Sequence, residues 1–87
     1  MKIHSYYVYV ARCADGTFYT GYASNLKDRE DVHNGLKKGM EAKYTRSRRP
    51  IKIVYSQKLQ TKSSAMKREL EIKKLTHEEK EKLAFSF

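Results

Sequence analysis

Five side chains in this sequence have the chemistry needed to hydrolyse a phosphodiester bond. Two are phenols, Tyr9 and Tyr19, and the others are Arg29, His33 and Glu69. A carboxylate can hold a divalent cation, and a guanidinium can neutralise phosphoryl oxygens. Cationic surroundings would lower the pKa of a tyrosine, so either phenol is a candidate general base, with His33 as a proton relay or as the base itself. The fold must bring these residues to one place.

The two tyrosines lie on a predicted β-hairpin. Residues 6–13 and 18–23 are mostly β-branched or aromatic, and residues 14–16 have turn chemistry. A two-residue turn would send Tyr9 and Tyr19 to opposite faces, whereas a three-residue loop ending in a left-handed glycine puts them on the same face. We expect the three-residue loop because it separates aliphatic side chains from phenols; the two-residue turn is the alternative. In the expected register Tyr7, Tyr9, Tyr19 and Gly21 share one face, and Val8, Val10, Phe18 and Thr20 share the other.

A helix carrying Arg29 and His33 is predicted to follow the hairpin. The two residues are spaced i, i+4 and therefore lie on the same side of the helix. The candidate caps are Ser24 or Asn25 at its start and Gly35 or Gly39 at its end. Its broad inward face is formed by Leu26, Arg29, Val32, His33 and Leu36. An arginine there either serves a site, lies at the edge of the face or pairs with a carboxylate.

Glu69 lies in the middle of a later predicted helix, which begins at Thr61 or Ser63. The apolar stripe of this helix contains Ala65, Met66, Ile72 and Leu75, with Leu70 at its edge. Glu69 falls on the same stripe and is the acid that faces the core side. A carboxylate in that position is costly unless it is paired or bound to a cation, which makes Glu69 the candidate metal ligand. The alternative is a structural salt bridge from Glu69 to Arg29.

Residues 35–50, between the first helix and the third strand, form a segment that is rich in cations. It is expected to be irregular, with a short helical turn near residues 42–45. Its candidate nucleic-acid-binding residues are Lys37, Lys38, Lys43, Tyr44, Arg46, Arg48 and Arg49. This mixture suits a phosphate backbone and one stacked base, although a solvated mobile loop would have the same composition.

The bulk composition indicates one globular, nucleic-acid-binding domain over residues 1–87. Nineteen Lys and Arg residues against ten Asp and Glu residues give a net charge of +9. No apolar run approaches the roughly 18 residues of a membrane span. The one cysteine, Cys13, excludes an internal disulfide and favours a small packing role for that residue. We therefore expect an intracellular protein, cytoplasmic or nucleoid-associated, with no membrane partner.

The predicted elements form a small α+β domain in the order β-β-α-loop-β-α-α. Residues 51–55 supply the third strand, which makes a three-stranded, mostly antiparallel sheet flanked by helices. A capping box from Thr76 to Glu79 begins a last helix that runs through Leu83.

The chain resembles the GIY-YIG nuclease superfamily, in particular its small standalone members. The resemblance rests on Tyr7-Val8-Tyr9, Tyr19-Thr20-Gly21, Asn25-Leu26-Lys27-Asp28-Arg29 with His33-Asn34, Ala42-Lys43-Tyr44-Thr45-Arg46 and Ala65-Met66-Lys67-Arg68-Glu69. It implies the same fold, a divalent metal such as Mg²⁺ or Mn²⁺, and active-site roles for Tyr9, Tyr19, Arg29 and His33, with Glu69 as metal ligand. The sequence departs from the common pattern at Tyr7, Thr20 and Tyr22, and it lacks the asparagine that many members have after the glutamate.

Two functions follow as alternatives. The first is a metal-dependent DNA endonuclease, structure-selective because so small a domain cannot read a long sequence, as used in DNA repair or recombination. The second is a nucleic-acid-binding module on the same fold with weak or lost catalysis. The sequence does not distinguish DNA from RNA. A third function, protein interaction through residues 85–87, is less favoured, because that tail is expected to cover an edge of the core.

Overall fold

A computed structural model describes residues 5–38 and 43–86 of the protein. Its elements are β1 (Tyr6–Arg12), β2 (Phe18–Ala23), α1 (Leu26–His33), α2 (Lys43–Arg46), β3 (Lys52–Leu59), α3 (Lys62–Lys73) and α4 (His77–Ser86). The predicted order and the α+β class are confirmed, with α2 as the expected short helical turn. No helix within the described ranges is long and apolar enough to cross a membrane.

The hairpin has the three-residue loop. The backbone N–H of Cys13 donates to the carbonyl of Thr17 at 2.8 Å, and Gly16 closes the turn with a φ of +85°. Tyr9 therefore lies opposite Gly21, and both tyrosines of interest share a face of the sheet. Because a shift of one residue would separate them, this register is the first requirement of a common site.

The central strand of the sheet is β1, with β2 and β3 on either side and both pairings antiparallel. The third strand is longer than the predicted 51–55. Val10 lies opposite Tyr55 and Ala11 opposite Ile53, so Val54 is the extra residue of a β-bulge. The carboxylate of Glu30 accepts a hydrogen bond from the Ile53 N–H at 2.8 Å, which ties α1 to β3 beside the bulge.

The two faces of the sheet differ in what covers them. We call the side under α3 the α3 face; its buried residues are Val8, Val10, Phe18, Ala65 and Ile72. We call the opposite side the α1 face; its buried residues include Tyr9, Ala11, Cys13 and Ile51, with Leu26 of α1 packed against them.

Three apolar residues that were predicted to face inward do not. Met66 and Leu70 on α3 are 46% and 58% exposed, and Leu36, beyond the end of α1, is 77% exposed. The helices are short, so only Ala65 and Ile72 of α3 are fully covered by the sheet. Phe85 is 96% exposed, so the expectation that it covers an edge of the core is wrong; Phe87 lies outside the described residues.

The predicted helix caps are present. Asn25 caps α1 by accepting from the Asp28 N–H at 3.0 Å, and Thr61 caps α3. Thr76 and Glu79 form the predicted reciprocal capping box at the start of α4. The helix α1 ends at Asn34, whose side-chain amide both donates to and accepts from the backbone of Ile51. The alternative helix end, Gly39, lies outside the described residues.

Candidate active site

Tyr9 is the buried centre of the polar cluster on the α1 face. Its hydroxyl lies 2.8 Å from Nε2 of His33, and both side chains are fully covered. Opposite it on β2 lies Gly21, where an added Cβ would be 2.7 Å from the Tyr9 hydroxyl. Glycine at this position therefore provides the space that the phenol occupies.

The hydrogen-bond chain continues through His33 to Thr45. Nδ1 of His33 lies 2.9 Å from Oγ1 of Thr45, which is also fully buried. Arg29 donates a hydrogen bond to the Tyr9 oxygen, because a guanidinium can only donate. In the tautomer in which Nε2 of His33 accepts from the Tyr9 O–H, the imidazole hydrogen is on Nδ1 and donates to Thr45. The Thr45 hydroxyl, on the short helix α2, can donate or accept and therefore fits either tautomer.

The pKa of Tyr9 is raised to about 12, mainly because burial disfavours the phenolate. The neighbouring Arg29 acts in the opposite direction, while Tyr19 and Glu69 raise the pKa further. The expectation that a cationic site lowers a tyrosine pKa is therefore wrong for Tyr9. Removal from water outweighs the one nearby cation, so Tyr9 is a neutral phenol at physiological pH.

Tyr19 connects the buried cluster to the surface. Its ring meets the edge of the His33 ring at a centroid distance of 5.2 Å, and it lies 6.4 Å from the Tyr9 ring. The ring of Tyr44, from α2, is stacked against it at 6.1 Å. Tyr19 is only half-buried, so part of its ring is open to solvent beside the covered Tyr9.

Glu69, on α3, lies next to the two tyrosines and Arg29. A pocket of about 300 Å³ is lined by Tyr9, Tyr19, Gly21, Tyr22, Arg29 and Glu69. The Glu69 side chain is 17% exposed, and its carboxylate lies 3.7 Å from Nζ of Lys73, one turn along α3. Lys73 is thus an ion-pair partner of Glu69, and the alternative salt bridge from Glu69 to Arg29 stays a hypothesis. Four of the five predicted residues line one pocket, and His33 lies directly behind it.

The donor set of this pocket suits a cation held by few protein ligands. Within the described ranges there is no group of three or more His, Cys, Asp or Glu side chains that could enclose a metal ion. Glu69 supplies one carboxylate, and the pocket leaves room for water. Mg²⁺ and Mn²⁺ accept such a site, because Mg²⁺ in particular retains several water ligands.

Part of the basic segment holds the fold together. Arg49 donates to the backbone carbonyl of His33 at 2.7 Å and packs over Gly35, where a Cβ would collide with it. Arg48 binds the hairpin turn through Asp15 at 3.0 Å and lies over the Tyr44 ring at 4.0 Å. These two arginines therefore anchor the part of the segment that contains them to α1 and to the hairpin turn.

The other cations of this segment lie at the surface. Lys37 is bridged to Asp28 at 2.8 Å. Lys38, Lys43 and Arg46 are exposed, and Tyr44 is 38% exposed. Tyr44 lies next to Tyr19, and Lys43 and Arg46 are on the same short helix as Tyr44, while a nucleic-acid-binding role for these residues stays a prediction.

Thr45 is the residue whose role sequence reasoning missed. It belongs to one of the motifs that carry the family resemblance, but nothing in its spacing identified a partner 12 residues away in the chain. A threonine between Tyr44 and Arg46 in a cationic segment suggested only a surface turn. Its position in the hydrogen-bond chain follows from the packing of α2 against α1.

Comparison with known proteins agrees with this arrangement. Residues 5–82 match the GIY-YIG catalytic domain. The chain belongs to the GIY-YIG family. A UPF0213 protein of Staphylococcus aureus (strain N315) is 47% identical over 79 residues, which cover 91% of this chain and 93% of that protein.

Two solution NMR structures have the same fold. The UPF0213 protein BH0048 from Bacillus halodurans is 39% identical with a TM-score of 0.54, covering 91% of this chain and 81% of that one. The protein EF2693 from E. faecalis is 35% identical with a TM-score of 0.60, covering 95% and 85%. The resemblance to small standalone GIY-YIG proteins is thereby confirmed, and the protein falls in a nuclease family.

Proposed function

We propose that this protein is a divalent-metal-dependent endonuclease that hydrolyses phosphodiester bonds in DNA in a structure-selective way, with one domain over residues 1–87 carrying the activity. The observation that supports this most strongly is the pocket shared by Tyr9, Tyr19, Arg29 and Glu69. A binding module would need only a cationic surface. It would not need a carboxylate, a guanidinium and two phenols around one cavity.

Glu69 is the proposed metal ligand. Its carboxylate is mostly buried yet lines the pocket, and its partner Lys73 is on the exposed side of α3. A bound Mg²⁺ or Mn²⁺ would supply charge stabilisation for the departing 3′ oxygen. The Lys73 ammonium group helps to orient this carboxylate.

Arg29 is the proposed phosphate ligand. It lines the same pocket as Glu69 and hydrogen-bonds to Tyr9, so its guanidinium is held in place. A permanently charged, planar donor is well suited to phosphoryl oxygens that gain negative charge during attack by water. Its hydrogen bond to the phenol orients the two groups toward each other.

The proton of the attacking water is assigned to the Tyr9–His33 pair. Water attacks phosphorus, the bond to the 3′ oxygen breaks, and the proton from water passes to the Tyr9 oxygen. Because Tyr9 is neutral, it can accept this proton only as its own passes to His33, 2.8 Å away. The 3′ oxygen leaves with the bonding electron pair and takes a proton from solvent water, so the products are a 5′ phosphate and a 3′ hydroxyl. His33 then returns its proton to solvent through Tyr9. Tyr19, half-buried beside the pair, positions the water and the phosphate.

DNA is the proposed substrate because of the surface around the pocket. The net charge is +9, and exposed Lys43 and Arg46 are on the same short helix as Tyr44, whose ring stacks against Tyr19. Replacing Lys43 and Arg46 by Ala should weaken binding to all sequences and flatten the dependence of affinity on salt. An unchanged slope would place the nucleic acid elsewhere on the protein.

The test is a cleavage assay on duplex, nicked, branched and single-stranded DNA of one sequence. Each substrate is incubated with Mg²⁺, Mn²⁺ or EDTA, and end-labelled products are separated. We expect cuts with either metal, none with EDTA, and a preference for branched or nicked forms. Binding without cleavage of any substrate would favour the alternative, a binding module. A matched set of RNA substrates decides between DNA and RNA.

Tyr9→Phe and Tyr19→Phe separate the roles of the two phenols. If the Tyr9–His33 pair takes the proton, Tyr9→Phe should abolish most cleavage at every pH, whereas Tyr19→Phe should retain part of it. The same assay with equal cleavage by Tyr9→Phe and the wild type would reject the proton assignment while leaving the metal assignment intact.

A further inference from the structure

A second pocket lies on the other side of Tyr19. It has a volume of about 220 Å³, and its lining residues are Phe18, Tyr19, Thr20, Tyr44, Lys73 and Lys80. Tyr19 lines both pockets, and Lys73 is the ion-pair partner of Glu69 in the first one. The two cavities are therefore neighbours, separated by one aromatic ring.

The lining combines flat apolar surface with cations. The stacked rings of Tyr19 and Tyr44 form an aromatic wall, and 38% of Tyr44 is open to solvent. Lys73 of α3 and Lys80 of α4 supply two ammonium groups on the opposite elements. Proteins that bind single strands use the same pairing, in which a base packs on an aromatic ring and lysines neutralise the backbone.

Thr20 adds a polar atom to the wall of this pocket. Its hydroxyl is buried and has no hydrogen-bond partner among the described residues, the one buried side-chain polar atom there in that condition. An unsatisfied buried hydroxyl is unfavourable, so such atoms ordinarily have a partner in the functioning molecule.

We propose that this second pocket binds an unpaired nucleotide of the DNA strand, next to the phosphate that is cut. The inference rests on the proposed function and extends it by naming what makes the enzyme structure-selective. A paired base is stacked within the duplex and must be flipped out, at a cost of a few kcal/mol, before its face can meet an aromatic wall. An already unpaired base enters without that cost. Branched DNA and junctions between duplex and single strand are therefore the favoured substrates.

Lys80 offers the sharpest test because it lies outside the first pocket and outside the basic segment of residues 35–50. Binding of fluorescein-labelled hexathymidine is measured by anisotropy in EDTA, over a range of salt concentrations, for the wild type and Lys80→Ala. We expect weaker binding by Lys80→Ala and a slope of log affinity against log salt that is smaller by about 0.7, the value for one phosphate contact on a single strand.

The matched control is Lys58→Ala, which removes one charge from an exposed position on β3, at the edge of the sheet opposite β2. It should keep the wild-type slope. Tyr44→Ala should weaken hexathymidine binding by about 5- to 150-fold, as expected for loss of a base stack. Equal slopes for Lys80→Ala and Lys58→Ala would overturn the assignment of the pocket.

Photo-crosslinking then asks whether the base is unpaired. 5-Iododeoxyuridine is placed at an unpaired position beside a branch or at the matching paired position, and crosslinked residues are identified by mass spectrometry in EDTA. Crosslinks to Tyr44 or Phe18 from the unpaired position alone support the inference, and equal crosslinks from both positions contradict it. These experiments need no cleavage, so an inactive wild type would refute the proposed function and leave the pocket to be judged by binding.

Discussion

The two faces of the sheet are built from alternating residues of the same strands, yet they do different work. On the α3 face Val8, Val10 and Ile72 belong to one apolar cluster. On the α1 face Tyr9 is equally buried and packs against Ala11 and Ile51, but its hydroxyl is hydrogen-bonded to His33. One strand, β1, therefore supplies both the core and the centre of the site, which fixes the position of the phenol relative to the fold.

Because the two faces differ in this way, substitutions on them should have different effects on stability and on cleavage. Burial of apolar side chains stabilises the α3 face, and removing atoms there leaves a cavity. The α1 face gains less from burial because its polar groups must each keep a partner. Substitutions on the first face should act on the free energy of unfolding, and those on the second should act on both unfolding and cleavage.

The largest effect on stability is expected at Ile72. Its side chain is fully covered in the α3 face, so Ile72→Ala should lower the free energy of unfolding by about 2–5 kcal/mol. Met66→Ala on the same helix is the control, because Met66 is 46% exposed and should cost far less. Both are measured by urea denaturation, and similar losses would mean that the α3 face is not the main core.

Gly21→Ala should be the most damaging small change on the α1 face. The new Cβ would lie 2.7 Å from the Tyr9 hydroxyl, so we expect a loss of about 1–3 kcal/mol in unfolding free energy together with reduced cleavage. The same substitution in a Tyr9→Phe background removes the oxygen but leaves the ring carbon Cζ 2.9 Å from the new Cβ, so it should cost less and still destabilise the protein. Equal losses of unfolding free energy in the two backgrounds would show that the Tyr9 hydroxyl is not what requires a glycine at position 21.

Thr45→Val tests the far end of the hydrogen-bond chain. It leaves Nδ1–H of His33 without its acceptor, at an expected cost of about 1–3 kcal/mol, and it should lower the rate of cleavage by freeing the imidazole. Thr45→Ser restores the hydroxyl and should recover the rate. If valine and serine at this position cut DNA equally well, Thr45 only fills space.

The smallest effect concerns the ionisation of Tyr9. Its pKa rises from 10.0 to about 12 on folding, so the folded state holds the proton more tightly and this contribution is complete below pH 10. It is lost as pH rises from 10 toward 12, by about 1.4 kcal/mol at pH 11. The unfolding free energy of the wild type should therefore fall by that amount more than that of Tyr9→Phe between pH 9 and pH 11. Parallel decreases would contradict the burial of a neutral phenol.

Local sequence was enough to predict the hairpin and the helix caps. The three-residue loop separated Tyr9 from Val8 and Val10 by alternation alone, and Asn25, Thr61 and the capping box each follow from side-chain chemistry near the backbone. The family resemblance then pointed to the residues that meet in the pocket. These features depend on residues that are close in the chain or recur in a motif.

What could not be predicted depends on how separate elements pack. The burial of Thr45 and the anchoring of Arg49 over Gly35 are set by how α2 and the residues after it approach α1. The direction of the Tyr9 pKa shift is likewise a matter of burial, because the sequence shows a nearby cation but not how much water is excluded.

The central claim is that Glu69 binds a metal ion and is not needed to stabilise the fold. Glu69→Gln tests this claim directly. The variant keeps the shape of the side chain and removes its charge; Glu71→Gln, an exposed site on the same helix, is the control. Melting temperature, DNA affinity and Mn²⁺-dependent cleavage are measured on both variants. We predict that Glu69→Gln is folded and binds DNA but cuts it slower by orders of magnitude, while Glu71→Gln cuts normally. A folded Glu69→Gln protein that cuts DNA at the wild-type rate would contradict the account.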